Sequence, residues 1–515
     1  MATTYYLNPD KAANGDGLSP ATAFNSFATP DTWTKAGGFD GSKLLLNSDA
    51  RNPLYDTANV FNKVVTGDGP DGIILGAYGD GALPIIDGSV VATSLWIQDD
   101  TTVWFTDDTT AAPILDGAML RQFSTEAGMR NNEGTYWISG SRVYINFPDD
   151  PNRVPQRVPG FGPLINGGGG SLSHAIRDVH LRWSQFEQIR FAGEFSGLVI
   201  ASVLSGPNDN SLSGATKQFA SLAGTSVIAP VTGIRVLYNR VYGNFGAGTH
   251  HGVETRFMDG AVLDGNRFEH VETTVFEFWQ SMINSIIRNN VAIECGQFWW
   301  LSPGPGTDNN HQNNQCYNNE WTGFFFPDDG PGREQSQSAL KIDSGSGNSA
   351  YNNTFVGEGS AVIRQTILGG GDNTFTLKNN VIVNLDVGTK NVVHTTNSAS
   401  PIAFNADYNQ YYVPNGNSAW ASSLGTVTSL AAWKTNGGGA DELEGDPGLT
   451  NLSRVAPDFA PTAGAAVLEA GLVEAATPDD DRFGRRRIEF TASRTDIGAQ
   501  QRQRIVPNAT SISTG

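Results

Sequence analysis

Between His250 and His311 the chain gathers residues able to move protons and to hold sugars. This window contains His250, His251, His270 and His311, four of the chain's seven histidines. Around them stand Glu254, Arg256, Asp259, Glu269, Glu272, Glu277, Trp279, Trp299, Trp300 and Asp308. Paired carboxyls are the usual means of breaking a glycosidic bond, one as acid and the other as base or nucleophile. Glu254, Asp259 and Glu277, with Asp329 further along, are the candidates for such a pair. A β-elimination would instead need a base near the sugar C5 and a cation for the uronate, and His250 or His251 with Arg256 can supply these. Trp279, Trp299 and Trp300 offer flat apolar platforms for sugar faces, with His311 and Asp329 as polar neighbours. Adjacent residues on a strand point to opposite faces. At most one of His250 and His251 therefore lines a given cleft, and one of Trp299 and Trp300 belongs to the core.

The elements that position these residues are announced by a recurring asparagine. The units read Leu237-Tyr238-Asn239-Arg240-Val241, Asp264-Gly265-Asn266-Arg267-Phe268, Ile287-Arg288-Asn289-Asn290-Val291, Cys316-Tyr317-Asn318-Asn319-Glu320, Ala350-Tyr351-Asn352-Asn353-Thr354 and Leu377-Lys378-Asn379-Asn380-Val381. Taking the first Asn of each unit gives steps of 27, 23, 29, 34 and 27 residues. Periods of this size mark stacked repeats, and these are shorter than the blades of a propeller. Asn tolerates the left-handed backbone and suits a tight corner between two short strands. Stacked corners let the amides bond along the stack as a ladder. The sequence thus predicts an all-β, parallel β-helix (solenoid). Counting eleven residues on from the first Asn aligns His250, Glu277, Trp300 and Asp329 in one column. Adjacent rungs lie about 4.8 Å apart, close to the roughly 5 to 5.5 Å between the carboxyls of retaining glycosidases.

Composition agrees with a solenoid: 60 Gly, 25 Pro and only 17% charged residues over 515 positions, with no long helical period. The net charge of −19 argues against nucleic acid or an anionic membrane as partner. A polyanionic ligand would need metal ions or a local basic patch. Lysine is scarce in the repeats, with only Lys217 and Lys341 between Phe191 and Leu377. No apolar stretch is long enough for a membrane helix. The start, Met1 to Pro20, has no apolar core and carries Asp10, Lys11 and Asp16, so no signal peptide is expected. Cys295 and Cys316 read as two free buried thiols rather than a disulfide between rungs. Asp328-Asp329-Gly330 is the one candidate for Ca2+, though it lacks the carboxylate series of a dedicated loop; no other cofactor is implied. Asp479-Asp480-Asp481 beside Arg485-Arg486-Arg487 reads as a solvated turn with its ion pairs.

The two ends of the chain carry a resemblance. Tyr5-Tyr6-Leu7-Asn8-Pro9 followed by Asn14-Gly15-Asp16-Gly17-Leu18-Ser19-Pro20-Ala21-Thr22-Ala23-Phe24 resembles the opening of pectate-lyase-like, right-handed parallel β-helix proteins. Asp446-Pro447, Pro461-Thr462-Ala463-Gly464, Arg482-Phe483-Gly484-Arg485 and Asp496-Ile497-Gly498-Ala499 resemble their closing segment. That superfamily includes polysaccharide lyases, glycoside hydrolases, epimerases, phage tailspikes and adhesins, so the resemblance implies fold more than activity. Three regions are expected: an N-terminal cap and first rungs with a hairpin insertion (1–170), regular repeats (171–415) and a closing segment (416–515). Ile73 to Leu75 and Ile85-Ile86 read as early strands, and Tyr136 to Ile138 with Val143 to Phe147 as the inserted hairpin. The leading expectation is a glycan-binding, polysaccharide-depolymerising β-helix of tailspike or tail-fibre type. It would act outside the cell or on a virion surface, with a homotrimer or virion assembly as partner. The alternatives are a secreted bacterial polysaccharide lyase or glycoside hydrolase, and a glycan-binding protein without catalysis.

Overall fold

A computed structural model describes residues 3–26, 43–48, 54–56, 74–107, 113–159, 164–167, 174–182, 187–205, 218–243, 251–302, 311–323, 338–366, 374–396, 403–472 and 494–500, apart from isolated positions within these ranges. His250, Glu272, Asp308, Asp328, Asp329 and the Asp479 to Arg487 segment lie outside the described residues.

One rung shows how the chain winds. Val262–Asp264 runs along a long sheet, turns at Gly265 and Asn266, and continues as Arg267–Glu269. Thr274–Trp279 then crosses a second sheet, and Met282–Ile283 a narrow third one. The next rung begins at Ile286–Arg288, directly over Val262–Asp264 and parallel to it. This parallel stacking, repeated through all three sheets, makes the chain a parallel β-helix, as its repeats predict. Corners demand the left-handed region, and the residues found there are those that tolerate it. Gly265 has φ of 68°, and Asn289, Asn318, Asn352 and Asn379 have φ between 53° and 57°.

The asparagine ladder exists; it runs through Asn239 and Asn266 as the spacing suggests, and one residue further on in the double-Asn units. Its members are Asn239, Asn266, Asn290, Asn319, Asn353, Asn380 and Asn409, all buried. In each step the backbone N–H and the Nδ2 of one Asn both donate to the Oδ1 of the next, at 2.8 to 3.0 Å. In the double-Asn units the first Asn takes the left-handed corner and the second joins the ladder. Tyr238 and Tyr408 take the corner elsewhere, with φ of 55° and 56°. The ladder ends at Glu442, whose carboxyl accepts from Asn409 N, Asn409 Nδ2 and Tyr411 Oη.

Inside the ladder, equivalent apolar side chains stack in files. Val236, Leu263, Ile287, Cys316, Ala350 and Leu377 form one file, paired rung to rung. Cys316 and Cys295 are both free and buried, as expected of small apolar fillers. Burial pushes the Cys295 thiol up to about 12.

The N-terminal strands Thr4–Leu7, Lys43–Asn47, Ile74–Tyr78 and Ile85–Asp87 belong to the long sheet. Thr135–Ser139 and Arg142–Asn146 form the expected antiparallel hairpin. At the far end the helix Leu430–Asn436 closes the stack, with Trp433 lying flat on Trp420 at 6.2 Å. The last described segment runs back along the outside: Phe459, Val467 and Ile497 pack on Val356, Val381 and Val383.

Candidate functional site

The second sheet carries the candidate site. Its strands Gln218–Ala223, His251–Arg256, Thr274–Trp279, Gln297–Ser302, Leu340–Ile342 and Ala361–Thr366 lie in parallel register. One column across them reads Ser221, Glu254, Glu277, Trp300, Lys341, Arg364. The flanking file Val253, Phe276, Trp299 and Leu340 faces the core. Glu277 and Trp300 are thus aligned as the spacing suggests, and Glu254 stands before them.

Glu254 and Glu277 sit side by side on adjacent rungs and are 0% and 1% exposed. Arg256, two residues on from Glu254 and on the same face, donates to Glu254 Oε1 from Nε at 2.7 Å and pairs through Nη2 at 2.6 Å. Its guanidinium stacks over the Trp279 ring at 4.6 Å. Glu277 has no such cation. Burial, and then the Glu254 charge beside it, push its carboxyl up to about 8; Arg256, Lys341 and Ser302 oppose this only in part. His251 Nδ1 stands 3.1 Å from Glu277 Oε2, within ion-pair range but not aligned as a hydrogen bond. Near neutral pH the arrangement holds a protonated Glu277 next to a Glu254 paired with arginine.

The column continues with aromatic and basic groups. Trp300 Nε1 donates to Asp343 Oδ2 at 2.8 Å, and the Lys341 ammonium lies 3.8 Å from the centre of the Trp300 ring. Lys341 Nζ is 3.5 Å from the same Asp343 oxygen. Burial lowers the Lys341 pKa and raises that of Asp343. Arg364 follows on the next rung. Arg256, Trp279, Trp300, Lys341 and Arg364 all keep part of their surface exposed around the buried carboxyls.

Of the residues singled out in the sequence, Glu254, Arg256, Glu277, Trp279 and Trp300 come together. Five others lie elsewhere: Glu269 is on the long sheet, where it accepts from Arg267, and His270 follows it with Nε2 3.2 Å from Glu294 Oε2. Trp299 is 1% exposed and packs edge-on to Phe278 in the core, because alternation sends it to the opposite face from Trp300. His311 is 0% exposed in the third sheet, with Nε2 at 3.0 Å from the Ser302 carbonyl, and burial lowers its pKa to about 4. Asp259 lies in the third sheet too, beyond the left-handed corner at Phe257, and accepts from Asn284. Lys341, Asp343 and Arg364 are the members that the spacing did not bring out. Among the described residues no group of three His, Cys, Asp or Glu is placed to hold a metal ion.

No family model matches the chain, and no curated protein matches it in sequence. Several solved structures follow a similar chain course at low identity. XylC in complex with xylose is 11% identical, with a TM-score of 0.46 over 97% of this chain and 98% of that one. Pectate lyase Pel9A is 12% identical, with a TM-score of 0.41 over 98% and 97%. A GH136 lacto-N-biosidase from Eubacterium ramulus is 12% identical, with a TM-score of 0.35 over 80% of this chain and 65% of that one. These likenesses are of fold alone.

Proposed function

We propose that this protein cleaves glycosidic bonds in a polysaccharide by hydrolysis, with retention at the anomeric carbon. The observation that carries the reading is the in-register pair Glu254 and Glu277, on adjacent rungs and in unlike environments. Adjacent rungs are about 4.8 Å apart, which suits a nucleophile and an acid on one bond better than the roughly 6.5 to 9.5 Å of an inverting pair. Glu277 gives its proton to the leaving oxygen while the Glu254 carboxylate attacks the anomeric carbon, forming a glycosyl ester. Glu277, now ionised, takes a proton from water, and the hydroxide oxygen displaces Glu254. The proton count closes with Glu277 protonated again. Arg256 holds Glu254 by a charged hydrogen bond and ion pair, and Trp279 and Trp300 offer the ring faces against which sugars stack.

This is the enzyme alternative rather than the tail-protein one. The carboxyl pair supports bond cleavage and favours no particular location or assembly. The test is incubation with a panel of plant, capsular and marine polysaccharides, alongside Glu277→Gln and Glu254→Gln. New reducing ends, with rates down by roughly 10²-fold or more in each variant, are expected. Products absorbing in the ultraviolet band of unsaturated uronates would replace hydrolysis by β-elimination. Full activity in both variants would remove the pair from the chemistry.

A further inference from the structure

The site column does not stop at the carboxyls, and its far end has the opposite charge. Two rungs beyond Glu277 stands Lys341, and Arg364 is its partner on the next rung. Two cations side by side at adjacent-rung spacing repel each other, and a sheet gains nothing from such a pair. One carboxylate, Asp343, is nearby; it is buried, already accepts from Trp300, and stands 3.5 Å from the ammonium. It offsets one charge of two. Arg364 Nε is buried without a hydrogen-bond partner, and among the described residues no carboxylate pairs with its guanidinium. A buried guanidinium N–H without an acceptor is costly. In a chain of net charge −19 this is a local basic patch, and it lies in line with the cleavage pair.

We infer that Lys341 and Arg364 form a subsite for an anionic sugar substituent, carboxylate or sulfate. The chain of sugars would then run along the helix axis from the carboxyl pair, over Trp300, to the two cations. An extended glycan advances by roughly one rung spacing per sugar, so successive residues meet successive members of the column. Lys341 and Arg364 lie about two and three rungs from Glu277, or on the order of 10 and 14 Å. The anionic group would therefore sit two or three sugars away from the bond that breaks. The guanidinium fork takes a carboxylate or sulfate through two parallel N–H donors, and the ammonium adds a point charge. Trp300 holds the intervening sugar and, through Asp343, is fixed in orientation.

This subsite rests on the proposed reading of the column as a glycan path, but its test does not depend on cleavage. Binding is measured calorimetrically on the Glu277→Gln protein with polygalacturonate, the same polymer after reduction of its carboxyls to alcohols, and a sulfated galactan. At least tenfold tighter binding of one of the charged polymers than of the reduced one is expected, falling with added salt. Preference for polygalacturonate assigns the substituent as carboxylate, and preference for the galactan as sulfate. Arg364→Met and Lys341→Met should each remove tenfold or more of that preference. Arg364→Lys should keep part of it, and binding of the reduced polymer should be unchanged in all three. Equal binding of charged and reduced polymer, no binding of any charged probe, or an unchanged preference in a folded Arg364→Met protein would overturn the subsite. Selective binding without cleavage by the parent would leave the subsite standing and remove the hydrolase reading.

Discussion

The protonation of Glu277 can be read out as stability, independently of any substrate. Its carboxyl has an ordinary value of 4.5 and is pushed up to about 8 in the fold, chiefly by burial. A carboxyl raised in the folded state binds its proton more tightly there than in the unfolded chain. Its contribution is fully present below pH 4.5 and is lost as the pH rises through 8. One pK unit corresponds to about 1.36 kcal/mol, so the interval from 4.5 to about 8 corresponds to a loss of about 5 kcal/mol. Glu277→Gln keeps the shape, removes the titration and should escape that loss. For 515 residues at about 2.1 cal/mol/K each, the unfolding entropy is about 1.1 kcal/mol/K. The expected effect is thus a difference in apparent Tm, variant minus parent, that grows by about 4 to 5 °C between pH 4 and pH 9. Differential scanning of both proteins across that range measures it. Glu442, also raised to about 8 by burial, titrates in both proteins and cancels in the difference. A constant difference from pH 4 to pH 9 would mean that Glu277 titrates in the fold near its ordinary value and is ionised at neutral pH, and the acid role would fall with it. Because burial is the larger cause and the Glu254 charge the second, Glu254→Gln should shrink the window from above without abolishing it. If the parent cleaves a glycan as proposed, its activity should fall on the alkaline side with a midpoint near 8.

Two further outcomes follow from the scaffold. Asn319→Ala deletes donors to Ile287 O and Asn353 Oδ1 and leaves Asn290 N and Nδ2 without their acceptor; a loss of about 2–4 kcal/mol is expected, seen as a Tm lower by about 2–4 °C, and an unchanged Tm would show the ladder to be dispensable. Cys295 and Cys316 are buried with thiol pKa values raised by burial, so an aromatic disulfide reagent at pH 8 should titrate no more than a trace of either until denaturant is added.

The fold was legible because its signal is local and repeated. A short strand, a residue able to turn left-handed and an amide that bonds along the stack must recur at every rung, and they recur in the sequence. The register was misread where two asparagines adjoin, at 289-290, 318-319, 352-353 and 379-380, because corner and ladder residue both favour Asn and only φ separates them. The site column was legible in part. From ladder Asn to site residue the chain takes 15 residues in the Asn239 rung (254 − 239), 11 in the Asn266 rung (277 − 266) and 10 in the Asn290 rung (300 − 290). It takes 22 in the Asn319 rung (341 − 319) and 11 in the Asn353 rung (364 − 353). A fixed count of eleven from the first Asn therefore found Glu277, found Trp300 because the register slip at 289-290 offset the shorter step, and missed Glu254, Lys341 and Arg364. The scarcity of lysine in the repeats was the signal that could have found Lys341.

What separates the column from ordinary scaffold is that it works against the fold that carries it. A parallel, in-register sheet places identical rung positions side by side, so any charge repeated on successive rungs is repelled along the whole column. Glu beside Glu and Lys beside Arg are two such contacts, and together they span five successive positions of the same file. At about 4.8 Å and an effective dielectric near 20, a like-charge pair costs on the order of 3 kcal/mol, a large share of what a protein has in reserve. Elsewhere the ladder corners stack neutral amides and the core files stack apolar side chains, and the like pair Arg240 and Arg267 on the long sheet lies exposed to solvent. At the acidic end the repulsion is relieved by protonating Glu277, which converts an unfavourable contact into an acid poised next to a carboxylate. At the basic end Asp343 relieves only part of it, and the remainder is what an anionic ligand would neutralise. Local rules of folding are broken where function requires it, and here both breaks lie on one line along one face.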